Sequence, residues 1–135
     1  MKINSLRRYE RLKSTKWIEK LFSKEAFSVY EDYISIRFIT TDISDYPLKA
    51  GFSVSKRLYR DAHDRNQYKR WLRECYRVRK TPLVHQLIEK RMNLVIFIIL
   101  TRKLEGKSFQ EVEAVIEKLM SRLSHKISKI ESQNI

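Results

Sequence analysis

In the stretch RNQYKRWLREC, Arg65 to Cys75, cations alternate with apolar residues in a pattern suited to holding phosphates. On a helix, at roughly 100° per residue, Arg65, Asn66, Lys69, Arg70, Arg73 and Arg77 fall within an arc of about 140°. Tyr68, Trp71, Leu72 and Cys75 fall on another arc of about 100°, the width of a stripe packed on a core. An ordinary solvated helix face mixes both signs, so that carboxylates pair with cations a turn away. Here Glu74 is the only acid between Arg65 and Lys80. Five cations and an amide on one rigid face therefore predict a phosphate-binding strip on a helix whose other side is buried.

A second group is aromatic. Trp17 and Phe22 lie on a short helical pattern flanked by Lys13, Lys16 and Lys20. Rings beside cations are how single-stranded nucleic acid is held, because every base has a face that stacks. The same rings would serve equally as core. The expectation is one ring packed and the other partly exposed, with Trp17 first choice for the exposed role.

Other chemistry finds less support. His63, His85 and His125 are scattered, and none stands four residues from another, so a helical zinc pair is not expected. Cys75 lies on the apolar arc and reads as a packed small hydrophobe rather than a nucleophile. The DAHD sequence, with Asp61, His63 and Asp64, suits a divalent cation. It suits a helix start better, since Asp there caps free N–H groups and complements the dipole. With two glycines in the chain, Gly51 and Gly106, no glycine-rich phosphate loop is available.

Composition points the same way. The 135 residues hold 29 Lys and Arg against 16 Asp and Glu, a net charge of +13, and a polyanion is the natural partner. An anionic membrane surface is the rival, but the longest apolar run, Leu94 to Leu100, is far short of the ~20 residues that span a bilayer. The start, MKINSLRRYERLK, is basic without an apolar segment, so no signal peptide is expected. One cysteine agrees with a reducing compartment, and cytoplasmic localisation is expected. Length and a 42% hydrophobic content predict one domain over residues 1–135, with a basic arm at 1–10 and a tail at 126–135 that fray.

The elements that must position these groups follow from the patterning. Ser14 or Thr15 can cap the aromatic helix. A short strand is expected near Phe27 to Tyr30 and a longer one from Tyr33 to Thr40, where β-branched and aromatic residues concentrate. TTDISDYPLK reads as a turn, and AGFSVSK as the next strand, with Phe52 and Val54 on one face and Ser53 and Ser55 on the other. The basic helix follows and ends near Lys80, before Thr81 and Pro82. A shorter helical segment, LVHQLIEKR, leads to Leu94–Leu100, which lacks alternation and so reads as a central strand covered on both faces. Gly106 and Lys107 make a turn. Ser108 and Glu111 form a capping box for a long last helix bearing Phe109, Val112, Ile116, Leu119, Met120, Leu123, Ile127 and Ile130 on its apolar side.

AGFSVSKR followed by RNxxKRxxRE resembles the protein component of bacterial ribonuclease P. The matching positions are Ser53, Val54, Ser55, Lys56 and Arg57, then Arg65, Asn66, Gln67, Lys69, Arg70 and Arg73; Arg11, Leu12, Trp17 and Phe22 match the family's opening. The similarity runs in order and spacing from residue 11 to about 125. Gln67 stands where the family usually carries a second arginine, and Tyr59 where a glycine is common, so the connection LYRDAHD can take its own path.

The resemblance implies an α+β fold, a two-layer α/β sandwich with a four-stranded sheet, three main helices and a left-handed βαβ crossover against the usual preference. It also implies a ribonucleoprotein in which a large catalytic RNA, with bound Mg2+, removes the 5′ leader from precursor tRNA. The protein then assists without catalytic residues or a metal of its own. By the same resemblance, Lys56, Arg57, Arg65, Asn66, Lys69, Arg70 and Arg73 contact the catalytic RNA, and Arg11, Lys13, Trp17 and Phe22 line a cleft for the leader. The implied partners are the catalytic RNA and precursor tRNA, with no membrane and no obligate protein partner. Two other classes stay open on the residues alone. A structural RNA-binding protein, such as one of the ribosome, would share the charge but not need the aromatic helix; a DNA-binding regulator would need a recognition helix, usually in a symmetric dimer.

Overall fold

The computed structural model describes residues 10, 11, 15–24, 26–41 and 46–130, and for 15–17 the backbone alone. The elements run α1 (Thr15–Leu21), β1 (Phe27–Glu31), β2 (Ile34–Thr41), β3 (Leu48–Val54), α2 (Ala62–Arg77), α3 (Thr81–Lys90), β4 (Asn93–Leu100) and α4 (Phe109–Lys129). The strands form one mixed sheet in the order β1-β2-β4-β3. Pairing is antiparallel from β1 through β2 to β4, and parallel between β4 and β3. The α2–α3 segment is thus the crossover between parallel neighbours.

β4 is central, as its unbroken apolar run predicts. Successive side chains in a strand point to opposite faces, and β4 is covered on both. Leu94, Ile96, Ile98 and Leu100 join the main core, with Leu72, Cys75 and Tyr76 of α2, Leu83, Val84 and Leu87 of α3, and the apolar side of α4. Val95 and Phe97, on the other face, form a small separate cluster with Leu21 of α1, edged by Ile18, Ile39 and Ile99. The fold is therefore α+β, a sheet and three main helices in two layers, with the short α1 lying on part of the outer face.

Several boundaries differ from expectation for identifiable reasons. β3 begins at Leu48, directly after Pro47, because Leu48 and Ala50 are buried in register with Leu94 and Ile96. It ends at Val54, leaving Ser55 outside. Thr81 and Pro82 open α3 instead of only stopping α2: a proline in the first helical turn lacks an N–H that would have no partner there anyway. α2 has already closed at Val78. The capping box of Ser108 and Glu111 is formed in both directions, and Val115 joins the expected stripe of α4. Residues 126–129, expected to fray, continue α4, with Ile127 fully buried; 131–135 lie outside the described residues.

Glu10, placed in the fraying arm by sequence, is buried and ion-paired with the equally buried Lys80 at the α2–α3 corner. Next to it, Arg11 makes one parallel bridge to Ala50 on the free edge of β3. Among the described residues, no helix is long and apolar enough to cross a membrane.

Candidate nucleic-acid interface

α2 starts where Asp61, in extended backbone, accepts a hydrogen bond from the His63 N–H at 2.9 Å. Asp61 is thus the helix cap. Among the described residues no group of three or more His, Cys, Asp and Glu side chains is placed to hold a metal ion. The inward side of α2 is fixed by the fully buried Leu72, Cys75 and Tyr76. A ladder of rings runs beside them: Tyr59 to Tyr68 at 4.8 Å, Tyr68 to Trp71 at 5.2 Å, and Trp71 to Phe109 of α4 at 5.7 Å between centroids. Burial pushes the Cys75 thiol up to about 11, so it stays protonated near neutrality and is no nucleophile.

The outward side carries the predicted strip, and its members differ in what they are free to do. Asn66 and Arg70 are exposed, one turn apart, with Lys69 and Arg73 half-buried between and beyond them. Arg73 lays its guanidinium 5.7 Å from the Phe52 ring of β3, which fixes the strip along that edge of the sheet. Arg65 is partly committed: its Nη1 donates to the carbonyls of Tyr59 at 2.9 Å and Arg60 at 2.7 Å. A guanidinium has five N–H donors, so Nε and Nη2 remain for a ligand. Arg77 is held by Glu74, whose carboxylate accepts from its Nε at 3.1 Å, and it drops out of the strip. Lys56 and Arg57 are exposed in the turn that follows β3.

That turn does not wander despite the Tyr59 departure. Tyr59 accepts a hydrogen bond on its hydroxyl from the Leu104 N–H at 2.7 Å, tying the β3–α2 connection to the β4–α4 loop. Arg102 and Lys103, exposed on that loop, were not singled out in the sequence. The signal was faint: two cations directly after a buried strand, with nothing to say which other loop they would join.

The second surface lies on the other face of the sheet. Phe22 follows the last residue of α1 and is 53% exposed, while the exposure of Trp17, the first choice for that role, lies outside the described side chains. It meets Phe97 edge-on at 5.4 Å, and the Arg37 guanidinium lies 5.8 Å from its centroid. Arg11 is exposed; Lys13 and the side chain of Trp17 lie outside the described residues. Two cross-strand rows extend this surface away from α1: Ser28, Arg37, Phe97 and Gly51, and then Tyr30, Ser35, Ile99 and Ser53. Tyr30 is 72% exposed at the β1 end of its row. The sequence reading missed Arg37 and Tyr30, although the alternation of Ser35 and Arg37 with Ile34, Ile36 and Phe38 already marks an outer face that is not fully covered.

The chain matches the family model described as Ribonuclease P over residues 6–124. No curated protein sequence matches it significantly. Among solved structures it is similar to the RNase P protein from Thermotoga maritima, at 27% identity and a TM-score of 0.65, over 84% of this chain and 96% of that one. It shares its fold with the RNase P protein of Staphylococcus aureus, at 22% identity and a TM-score of 0.65, over 90% of this chain and 96% of that one. With a sequence match spanning most of its length and a mixed four-stranded sheet that superposes on these proteins, the chain belongs to the bacterial ribonuclease P protein family, the subunit that assists the RNA of this ribonucleoprotein endoribonuclease in 5′ processing of precursor tRNA.

Proposed function

We propose that the two surfaces divide the work of assistance between them. The α2 strip, with Asn66, Lys69, Arg70, Arg73 and the free donors of Arg65, together with Lys56 and Arg57, binds backbone phosphates of the catalytic RNA. The α1 side, with Arg11, Lys13, Trp17 and Phe22, holds the single-stranded leader of precursor tRNA. The observation that carries this reading is their separation: exposed cations ride on a helix rooted in the main core, while a half-exposed ring stands on the opposite face of the sheet. Phosphate contacts position without reading sequence, and stacked rings accept any base, which suits a protein that meets many precursors.

Residues 1–135 act as one domain in this reading, in the cytoplasm, with RNA as the required partner and no obligate protein partner. Magnesium belongs to the RNA. The described side chains do not fit a resident divalent ion, since Asp61 is committed as a helix cap and no acid cluster stands near the strip.

The test is reconstitution with the cognate catalytic RNA at low magnesium, using precursor tRNA and mature tRNA as competing ligands. Arg70→Ala is expected to weaken RNA binding and lower the salt slope by about one unit. Phe22→Ala is expected to leave RNA affinity intact and to reduce the preference for leader-bearing tRNA. A protein whose Arg70→Ala variant keeps the same RNA affinity and salt slope would not use the strip.

A further inference from the structure

We propose that Arg37 is a positioning residue for the leader surface, acting by completing the C-terminal cap of α1 and setting the pose of Phe22. The inference rests on the leader reading above and adds to it a residue that lies outside both motifs. α1 has seven residues, and a helix that short does not persist without tertiary support. Its last four carbonyls need partners from outside the helix. The chain just beyond supplies three: Phe22 N–H to Ile18 and Glu19 at 3.3 and 3.2 Å, and Ser23 N–H to Lys20 at 3.1 Å. The fourth, Leu21, is reached from β2, where Arg37 donates Nε to it and Nη2 to the Ser23 carbonyl at 3.0 Å. One planar, permanently charged group thus closes the negative end of the helix and grips the turn after it. The ring of Phe22, carried on that turn between Leu21 and Ser23, sits within 5.8 Å of the same guanidinium.

The geometry makes Phe22 dependent on Arg37 for more than attraction. Among the described side chains of α1, Leu21 is the one that is fully buried, packed with Val95 and Phe97. Phe97 meets Phe22 edge-on and restricts the ring from below. The guanidinium lies over the ring and holds the carbonyls on both flanks, those of Leu21 and Ser23. Without it, Leu21 and Ser23 lose their side-chain donor and the turn is free to shift the ring off its platform. Because α1 is rooted in the small outer cluster and α2 in the main core, the effect should stay on the leader side.

The experiment uses the reconstituted holoenzyme and reads affinity for precursor tRNA relative to mature tRNA, affinity for the catalytic RNA, and the melting temperature of each protein. The variants are Arg37→Met, Arg37→Lys, Phe22→Ala and the double variant Arg37→Met with Phe22→Ala. Phe22→Ala should reduce leader preference by roughly five- to a hundredfold, the range for losing one stacked base. Arg37→Met should produce a substantial part of that loss with catalytic-RNA affinity unchanged. The double variant should lose no more than Phe22→Ala alone, because Arg37 acts through the ring. Arg37→Lys, which keeps the charge but cannot grip two carbonyls in one plane, should fall between wild type and Arg37→Met; it also replaces Arg37→Met as the readout if the latter fails to fold.

Losses that multiply in the double variant would make Arg37 an independent contact and overturn the positioning role. So would full leader preference in a folded Arg37→Met or Arg37→Lys protein while Phe22→Ala loses it. If Phe22→Ala itself keeps the wild-type preference, the leader reading fails and the proposal falls with it, and that outcome is distinguishable from failure at Arg37 alone.

Discussion

The two helices that carry the candidate contacts, α2 and α1, are anchored in different ways. α2 is long, capped by Asp61, packed through three fully buried residues and braced by a chain of four rings that reaches α4. α1 is short, among the described side chains it packs through Leu21 against Val95 and Phe97 of β4 with Ile18 at the margin, and it is closed at its end by Arg37 from β2. A surface that must present several charges in fixed register needs the first kind of support, since misplacing one phosphate contact misplaces all. A surface that accepts leaders of any sequence needs a ring in a defined place and little more. The corner that joins these regimes is the buried Glu10–Lys80 pair, which attaches the segment before α1 to the end of α2.

The largest expected effect falls on that corner. Glu10→Gln leaves the Lys80 ammonium buried without its carboxylate and is expected to cost about 3 to 5 kcal/mol in a urea unfolding series. A loss below about 1 kcal/mol would show that the corner holds without the charge. Next come the two surfaces tested against each other. Arg70→Glu should weaken catalytic-RNA binding with leader preference retained in the complexes that form, and Phe22→Ala should do the reverse. If either variant damages both properties equally, the division between α2 and α1 is wrong.

Tyr59→Phe removes the acceptor of the Leu104 N–H while preserving the ring contacts. It is expected to destabilise by about 1 to 2 kcal/mol and to weaken RNA binding less than Arg70→Glu does. The smallest effect is on pH dependence. The folded Cys75 thiol lies above its ordinary value, at about 11. Between about pH 9 and that value the unfolded chain loses the proton first, so stability falls as pH rises, by at most about 1.4 kcal/mol per pH unit from this group. Cys75→Ala should flatten that part of the alkaline limb, as read by thermal melts across the range.

What the sequence made legible was local. The cation arc of α2, its apolar arc, the Asp61 cap, the Ser108–Glu111 capping box and the central position of β4 all follow from spacing over a few residues. The SVSK and RNxxKR blocks brought the family within reach because they combine a strand end and a helix face in fixed spacing. The rest depends on residues that only folding brings together. Arg37 serves a helix end 14 and 16 residues earlier, and Lys80 meets Glu10 across 70. No periodicity records such a pairing. Arg65 and Arg77 looked identical to Arg70 on a helical wheel, yet one is drawn to the carbonyls of the preceding loop and the other to Glu74. Pro82 misled for another reason: the residue that forbids a helix interior favours a helix start, and spacing alone does not choose between them.

The strand order has a consequence for how the chain is made. β2 and β3 never touch in the sheet; each is paired through β4, whose last residue is Leu100. As the chain emerges from the ribosome, the β1–β2 hairpin can form early, but β3 must wait with an unpaired edge until some forty further residues have been synthesised. The sheet then closes from the middle outward, with parallel pairing of the slow, long-range kind. A nascent chain halted before β4 would hold its basic helix without a floor to rest on, so RNA-binding competence should arrive late in synthesis and all at once.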